Sequence, residues 1–389
     1  MKDNTSGTHK PVIFYIDPQS MSNLAVYDYN LLEEIKDFDI HYICSVHLDH
    51  EVNQNHTYHK LFRYNHLSNP LLKACSYVLT YLKILFLIRS LKPKLIHVQW
   101  FRLQYFDYVF FKIAKWLFGF KMLYTAHNIL PLNTGNKYAM LFHKIYHMTD
   151  HIIVHSADTK RQLEEMFALA RNTISVIHHG YLQLNYNSEK LAAEAPTYRQ
   201  KYPFEGKTVF TSLGFQIAYK GSDIIANVWA STPQLNRNPH CLLVLVGKNH
   251  EIDYSQLSQY HNVIIDDRRI SNEEYHYILS RSSVYLMPYR KASFSQSGAL
   301  MTAIAEKTPA LVTRVGGLAE PLELADIGWI IEEDINENNL RNALLHIMKH
   351  PEEITKKKSD EQAWEIVQQY YDWHRISLYT QELYHQIIN

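Results

Sequence analysis

A lysine placed between glycines at the end of an apolar run is suited to meeting a phosphate. Residues 209–213 are strand-like, and they lead into Gly214-Phe215-Gln216-Ile217-Ala218-Tyr219-Lys220-Gly221, followed by an amphipathic stretch over 222–230. Gly214 and Gly221 leave room for backbone to approach a ligand, and Lys220 supplies a mobile positive charge, so the segment can cradle a diphosphate. An exposed lysine in an ordinary turn has the same spacing, which alone does not choose between the two.

The theme repeats over 284–320. The apolar run 284–287 ends at Pro288 and predicts a buried strand; a polar loop with Arg290, Lys291, Ser293, Ser295, Gln296, Ser297 and Gly298 then leads into 299–306, whose composition is that of a helix former. A helix starting on Ser297-Gly298 directs free backbone N–H groups and its positive dipole end at whatever sits above the loop. A second strand, 310–313, delivers Gly316-Gly317 and then Glu320. Glu320 is either a ligand contact or a first-turn acid complementing a helix dipole. Arg290 and Lys291 can add positive charge. Two phosphate-compatible loops therefore follow two successive strands, which is also how any parallel α/β unit is built. In the first half, Tyr124-Thr125-Ala126-His127-Asn128 follows a strand, so His127 is expected at a sheet's carboxyl edge, although a single His among 23 is usually structural.

The elements that must position these residues alternate in type. Strands are expected at 12–16, 40–44, 95–98, 122–125, 152–154 and 175–177, then at 209–213, 242–246, 263–265, 284–287, 310–313 and 329–331, with helical patterns between most of them. That alternation is the signature of parallel sheets wrapped by helices. A length of 389 residues predicts two domains, and the polar stretch 185–206, with Pro196 and Pro203, reads as their linker. The tail over 355–388 predicts one or two helices whose aromatics must pack on something.

Composition narrows the classes further. Hydrophobic residues make up 46% of the chain, and 39 basic side chains balance 39 acidic ones, which argues against a dedicated nucleic-acid binder. Three scattered cysteines suggest neither a disulfide framework nor a zinc site and favour a reducing cytoplasm. The polar start leads directly into a strand, so no signal peptide is expected.

The segment PYR…SQSG…KTPALVTRVGGLAE resembles the donor-binding region of the retaining glycosyltransferases of family 4. The resemblance implies an α/β protein of the GT-B fold: two Rossmann-like, doubly wound domains facing a cleft, here 1–190 on the acceptor side and 191–365 on the nucleotide-sugar side. A closing helix, 366–389, crosses back to the first domain, and YYDWHRISLYTQELY is similar to that segment. At 214–221 relatives read G-x-x-R-x-Y-K-G, so Lys220 falls on the donor-phosphate lysine and Ile217 stands where an arginine is usual. Glu320 matches the acid closing the family's G-G-x-x-E, and His127 matches its T-x-H, implying contact with the donor sugar. His178-His179-Gly180 resembles the H-x-G before the linker, a hinge-side element. Arg268 and Arg269 lie where the family usually holds the nucleotide base, mostly through backbone. Two departures stand out: the glutamate pair of many members falls on Phe294 and Thr302, as in a subset with an S-G loop, and the acceptor loop 17–23 lacks the usual glycines.

The implied activity is transfer of a sugar from a nucleotide-sugar donor to a hydroxyl of a glycan or lipid-linked oligosaccharide in surface polysaccharide assembly. His127 and Lys220 are the catalytic candidates; Gly214, Gly221, Arg290, Ser297, Gly298, Gly316, Gly317 and Glu320 are the donor-binding ones. No cofactor or metal is expected, since no H-x-x-x-H, carboxylate cluster or D-x-D pattern occurs where a metal would be needed. A nucleotide-sugar epimerase and a non-catalytic glycan-binding relative remain alternatives, the second motivated by Ile217, Phe294 and Thr302; nucleotide titration separates them. Between Lys73 and Lys121 nine Lys or Arg accompany one acid, Asp107, and basic residues punctuate the apolar stretches 70–92 and 106–120. Apolar and basic residues together suit an interfacial helix, so the protein is expected on an anionic membrane surface, at the inner face of the cytoplasmic membrane.

Overall fold

The computed structural model describes residues 10–389 apart from 22, 49–53, 132–133, 291–294 and 333, and apart from the side chain of residue 23. Lys291, Ser293 and Phe294, named above, and Ser22 of the acceptor loop 17–23 lie outside the described residues. The chain divides into two compact units: Met1–His179 with Trp373–Asn389, and Gly180–Asp372. Residues 180–190 and 366–372, assigned from the sequence to the first domain and to the closing helix, thus belong to the second unit.

The first unit is a seven-stranded parallel sheet built from Val12–Ile16 (β1), Asp39–Ser45 (β2), Thr57–Phe62 (β3), Leu95–Val98 (β4), Lys121–Thr125 (β5), His151–Val154 (β6) and Ile174–Val176 (β7). Its order is β3-β2-β1-β4-β5-β6-β7. The chain works outward from β1 and then returns to the other side as β4, so the neighbouring carboxyl ends of β1 and β4 form the switch point at which such sheets bind ligands. Helices cover both faces, so the inner strands are nearly continuous apolar runs and legible as such. β3 was not foreseen, for a physical reason. It is an edge strand, TYHKLF, in which Phe62 alone is buried, and so it lacks an apolar signal.

The final helix, Trp373–Ile388, packs within this first unit on helix Asn23–Glu33, burying Ile376, Leu383 and Tyr384 beside Tyr27 and Leu31. Ser377 Oγ donates to the Leu31 carbonyl at 2.8 Å, and Gln381 Oε1 accepts from the Lys36 and Asp37 amides at 2.9 and 3.2 Å. The tail forms three helices rather than one or two, the others being Pro351–Ser359 and Glu361–Tyr370.

The second unit is a six-stranded parallel sheet of Thr208–Leu213 (β8), Cys241–Val246 (β9), Val263–Asp266 (β10), Val284–Met287 (β11), Ala310–Thr313 (β12) and Gly328–Ile331 (β13). The order β10-β9-β8-β11-β12-β13 places its switch point between β8 and β11. The stretch expected as a linker is instead largely helical. Helix Ser188–Lys201 is capped by Asn187, whose side chain accepts from the Lys190 amide at 3.0 Å. It carries Pro196 inside it and packs on helix Asn272–Arg281 through Tyr198 against Tyr277 at 5.3 Å. Its polar composition reflects an exposed outer face rather than loose chain.

Candidate functional site

In the second unit the loops after β8, β11 and β12 meet at one sheet edge. After β8 the chain turns through Gly214 to Gly221, where φ is +77° and a Cβ would stand 2.3 Å from the Pro288 carbonyl oxygen. Only glycine lets this turn lie so close to the end of β11. Lys220 is carried back over Gly214, its Nζ lying 3.7 Å from where a Gly214 Cβ would be and 5.9 Å from the centre of the Tyr289 ring. Burial pulls its ammonium below the usual lysine range. Among the described residues Lys220 makes no ion pair and no side-chain hydrogen bond.

Arg290 differs. Its guanidinium donates two bonds to Asp223, at 2.7 and 2.6 Å, and another to the Ala218 carbonyl, while its amide donates to the Tyr219 carbonyl at 2.8 Å. Burial alone would raise the Asp223 carboxyl, but Arg290 outweighs it and holds the acid below its ordinary value. Arg290 therefore clamps the 218–223 turn to the end of β11. Its charge is neutralised there, so of Arg290 and Lys220 it is Lys220 that is left for an anion.

Helix Gly298–Ala305 begins beside them, and the Ser297 side chain gives it no capping bond, leaving the first-turn N–H groups uncapped by that residue. Gln296 ties this start to the next loop: its Oε1 accepts from the Ser297 amide at 2.8 Å and its Nε2 donates to the Gly317 carbonyl at 2.9 Å. The Gly317 amide returns a bond to the Ser295 carbonyl at 2.8 Å. Gly316 is left-handed, with φ +55°. Gly298 is not; the Cβ it lacks would meet Leu182 Cδ1 at 3.3 Å. Glu320 opens helix Glu320–Leu324. Thr302, at one of the two glutamate positions, bonds its hydroxyl to the Gly298 carbonyl at 3.0 Å within the helix.

Arg268 is also committed within the protein, to Asp266 at 3.1 Å and Glu274 at 2.5 Å, in a cluster with Lys201. The Arg268 side chain is thus occupied, which leaves the backbone after β10, through which the base is expected to be held, as the available contact.

In the first unit the carboxyl ends of β4, β5, β6 and β7 bring Gln99, His127, His155 and His179 together. His127 Nε2 lies 2.9 Å from Gln99 Oε1 and its Nδ1 lies 3.3 Å from His155 Nε2, so both ring nitrogens are engaged. Trp100 stacks on the His127 ring at 4.8 Å, nearly parallel, and Tyr27 meets it edge-on at 5.1 Å. Behind them His97 joins Gln99, Thr125 and the Tyr384 hydroxyl. Burial, reinforced by the neighbouring imidazoles, drives His127 far below the usual range, and burial takes His155 and His97 down to about 3. At neutral pH His127, His155 and His97 are uncharged rings with a fixed hydrogen-bond pattern. It can orient a ligand, whereas moving a proton through His127 would require breaking an existing bond.

Next to it, at the β1 end, is a feature the sequence hid. Asp28 accepts from the Tyr15 and Tyr42 hydroxyls, each at 2.6 Å, beside Asp17, which accepts from the Gln19 amide at 2.6 Å. Burial pushes Asp28 up to about 6, and burial together with the Asp28 charge pushes Asp17 up as well. The 17–21 turn is further fixed by Ser20 Oγ, which accepts from the Ser45 amide at 2.6 Å. Asp28 sits inside a helix and Gln99, Trp100 and His155 have no motif, so only their places at strand ends, known from the sheet order, could have drawn attention to them.

Two family models match the chain, Glycosyltransferase Family 4 over residues 25–181 and Glycosyl transferases group 1 over residues 207–350, together about three quarters of its length. Solved structures align along nearly all of it. Sucrose-phosphate synthase from Thermosynechococcus elongatus is 17% identical, with a TM-score of 0.69 over 97% of this chain and 98% of that one. Anabaena HepE in complex with UDP-glucose is 14% identical, with a TM-score of 0.69 over 96% and 99%. WaaG, a glycosyltransferase involved in lipopolysaccharide biosynthesis, is 14% identical, with a TM-score of 0.62 over 96% and 99%. At these identities the likeness is one of fold, the two-domain GT-B architecture. No curated protein sequence matches the chain at a significant level.

Proposed function

The chain belongs to glycosyltransferase family 4, and we propose that it moves a sugar from a nucleoside-diphosphate donor to a hydroxyl of a growing glycan with retention of anomeric configuration. The observation that carries this reading is Lys220: a half-buried ammonium without a carboxylate partner among the described residues, held over Gly214 at the β8–β11 switch point by the Arg290–Asp223 clamp. A cation drawn partly out of water without a counter-charge is destabilised, and an anion in the working state would relieve that cost.

In the proposed reaction the acceptor oxygen attacks the anomeric carbon on the face from which the diphosphate departs. The bond from that carbon to the phosphate oxygen breaks, and the acceptor's proton passes to the departing oxygen. Lys220 and the first-turn N–H groups of helix Gly298–Ala305 meet the developing negative charge. Protein groups supply the compensating positive charge, so the step is proposed to need no metal ion. His127, neutral and bonded on both sides, is assigned as a positioning residue for the donor sugar. The complex of HepE with UDP-glucose makes a uridine donor the first to try, and the role of WaaG supports a surface-glycan or lipid-linked acceptor.

The test is incubation with a panel of nucleotide-sugars and glycan acceptors, reading released nucleoside diphosphate and the product's anomeric proton coupling by NMR. A product with the donor's configuration is expected. An inverted product would overturn the mechanism, and an isomerised nucleotide-sugar with no acceptor consumed would overturn the transferase reading.

A further inference from the structure

Residues 52–149 hold thirteen Lys or Arg and a single acid, Asp107. That acid is fully buried, where it accepts from the Tyr77 hydroxyl at 3.1 Å and the Leu103 amide at 3.0 Å. The outward-facing side chains of this stretch are therefore all basic or neutral.

The same stretch is rich in exposed apolar side chains. Of the twenty large hydrophobic side chains exposed among the described residues, thirteen fall between Leu71 and Met140. On helix Pro70–Leu91 one stripe, including Tyr77, Tyr81, Ile84 and Ile88, is buried in the core, while Leu79, Leu82 and Phe86 stand outward, Phe86 with 71% of its surface exposed. Helix Gln104–Phe118 buries Phe111 and Ala114 and exposes Val109, Ile113 and Trp116, the last at 82%. An open groove of ≈ 570 Å³ runs beside the first helix, lined by Leu61, Leu79, Leu82, Phe86 and Leu87 with Lys83 among them. So large an apolar patch with basic side chains around it marks an interaction site.

Helix Pro70–Leu91 has the length and hydropathy to cross a bilayer. Its inner face, however, is bonded into the unit: Tyr77 to Asp107, and Thr80 Oγ1 to the Leu61 carbonyl at 3.1 Å. Withdrawing it from the sheet would break that core, so the helix is placed to lie along an interface. Charge selects what lies opposite. A second copy of this face would bring like charges together, whereas a bilayer of anionic lipid complements them.

We infer that the outer faces of helices Pro70–Leu91 and Gln104–Phe118 seat on an anionic phospholipid surface, with Leu82, Phe86, Ile113 and Trp116 entering the headgroup boundary and Lys73, Lys83, Arg89 and Lys112 meeting lipid phosphates. This docking is independent of which sugar is transferred.

Flotation of the full chain with liposomes tests it without reference to catalysis. Binding is expected with vesicles containing anionic phosphatidylglycerol at low salt, at least tenfold less with pure phosphatidylcholine, and a marked loss on raising the salt. The Phe86→Glu/Trp116→Glu variant, altered where both side chains already face outward, should lose at least tenfold of the bound fraction with an unchanged melting temperature. The inference is overturned by absence of binding to anionic vesicles, by equal binding to neutral ones, by full retention in the double variant, or by resistance of the bound protein to alkaline carbonate extraction. It is overturned equally if sedimentation shows a stable dimer that the double variant converts to a monomer.

Discussion

Lys220 and Arg290 read alike in the sequence, two cations at loops near the same sheet edge, and the structure separates them. Arg290 is neutralised by Asp223 and Lys220 is not, a distinction that depends on partners 67 residues away in sequence for one and on no carboxylate among the described residues for the other. Replacing Lys220 by Ala is expected to lower kcat/KM by about 10²-fold, the loss of one charged transition-state contact, with the melting temperature unchanged. Unaltered turnover in the folded variant would remove Lys220 from the reaction. Asp107 gives a second test. Burial raises its carboxyl to about 7, against the opposing pull of its hydrogen bonds, so between the ordinary carboxylate range and neutrality the native state binds a proton that the unfolded chain has released. Stability from this group is therefore present at acid pH and lost as pH rises toward 7. Asp107→Asn, measured against wild type by denaturant titration, should gain relative stability from pH 4 to pH 7 by on the order of 3 kcal/mol and then level off. A difference that stays flat across this range would show that Asp107 is not raised.

At the scale of elements, the sequence exposed most strands because parallel strands buried on both faces are continuous apolar runs. It concealed β3, whose edge position removes that signal, and helix Ser188–Lys201, whose polar outer face and internal Pro196 imitate a linker. The site was legible where a loop has glycines and a lysine, and illegible where uncharged side chains from separate strands converge, as with Gln99, Trp100 and His155. The two loop glycines make different predictions. Gly221 is left-handed against the Pro288 carbonyl, so Gly221→Ala should cost about 1–3 kcal/mol of stability and displace Lys220 as well. Gly298 has no positive φ, and a Cβ there would press on the side chain of buried Leu182 at 3.3 Å rather than on backbone, so Gly298→Val should cost only about 1 kcal/mol of stability while weakening nucleotide binding at a helix start that Ser297 does not cap. A collapse of stability in Gly298→Val with normal binding would mark that residue as packing alone.

At the scale of the whole molecule, a formal charge of zero conceals a strong asymmetry, since residues 52–149 are basic and the remainder carries the surplus of acids. Composition alone therefore excluded little about surfaces, and the distribution became informative only when the fold showed which side chains face outward. The central claim concerns the other half of the chain: that the β8–β11 edge of the second unit receives a nucleoside diphosphate through Lys220 and backbone N–H groups without a metal. Calorimetric titration of the full chain with uridine, guanosine, adenosine and cytidine diphosphates, each in excess EDTA, tests this most directly. The account predicts that one diphosphate binds in the micromolar to millimolar range and that Lys220→Ala weakens it at least tenfold. Failure of all four to bind, or binding indifferent to Lys220, would contradict it.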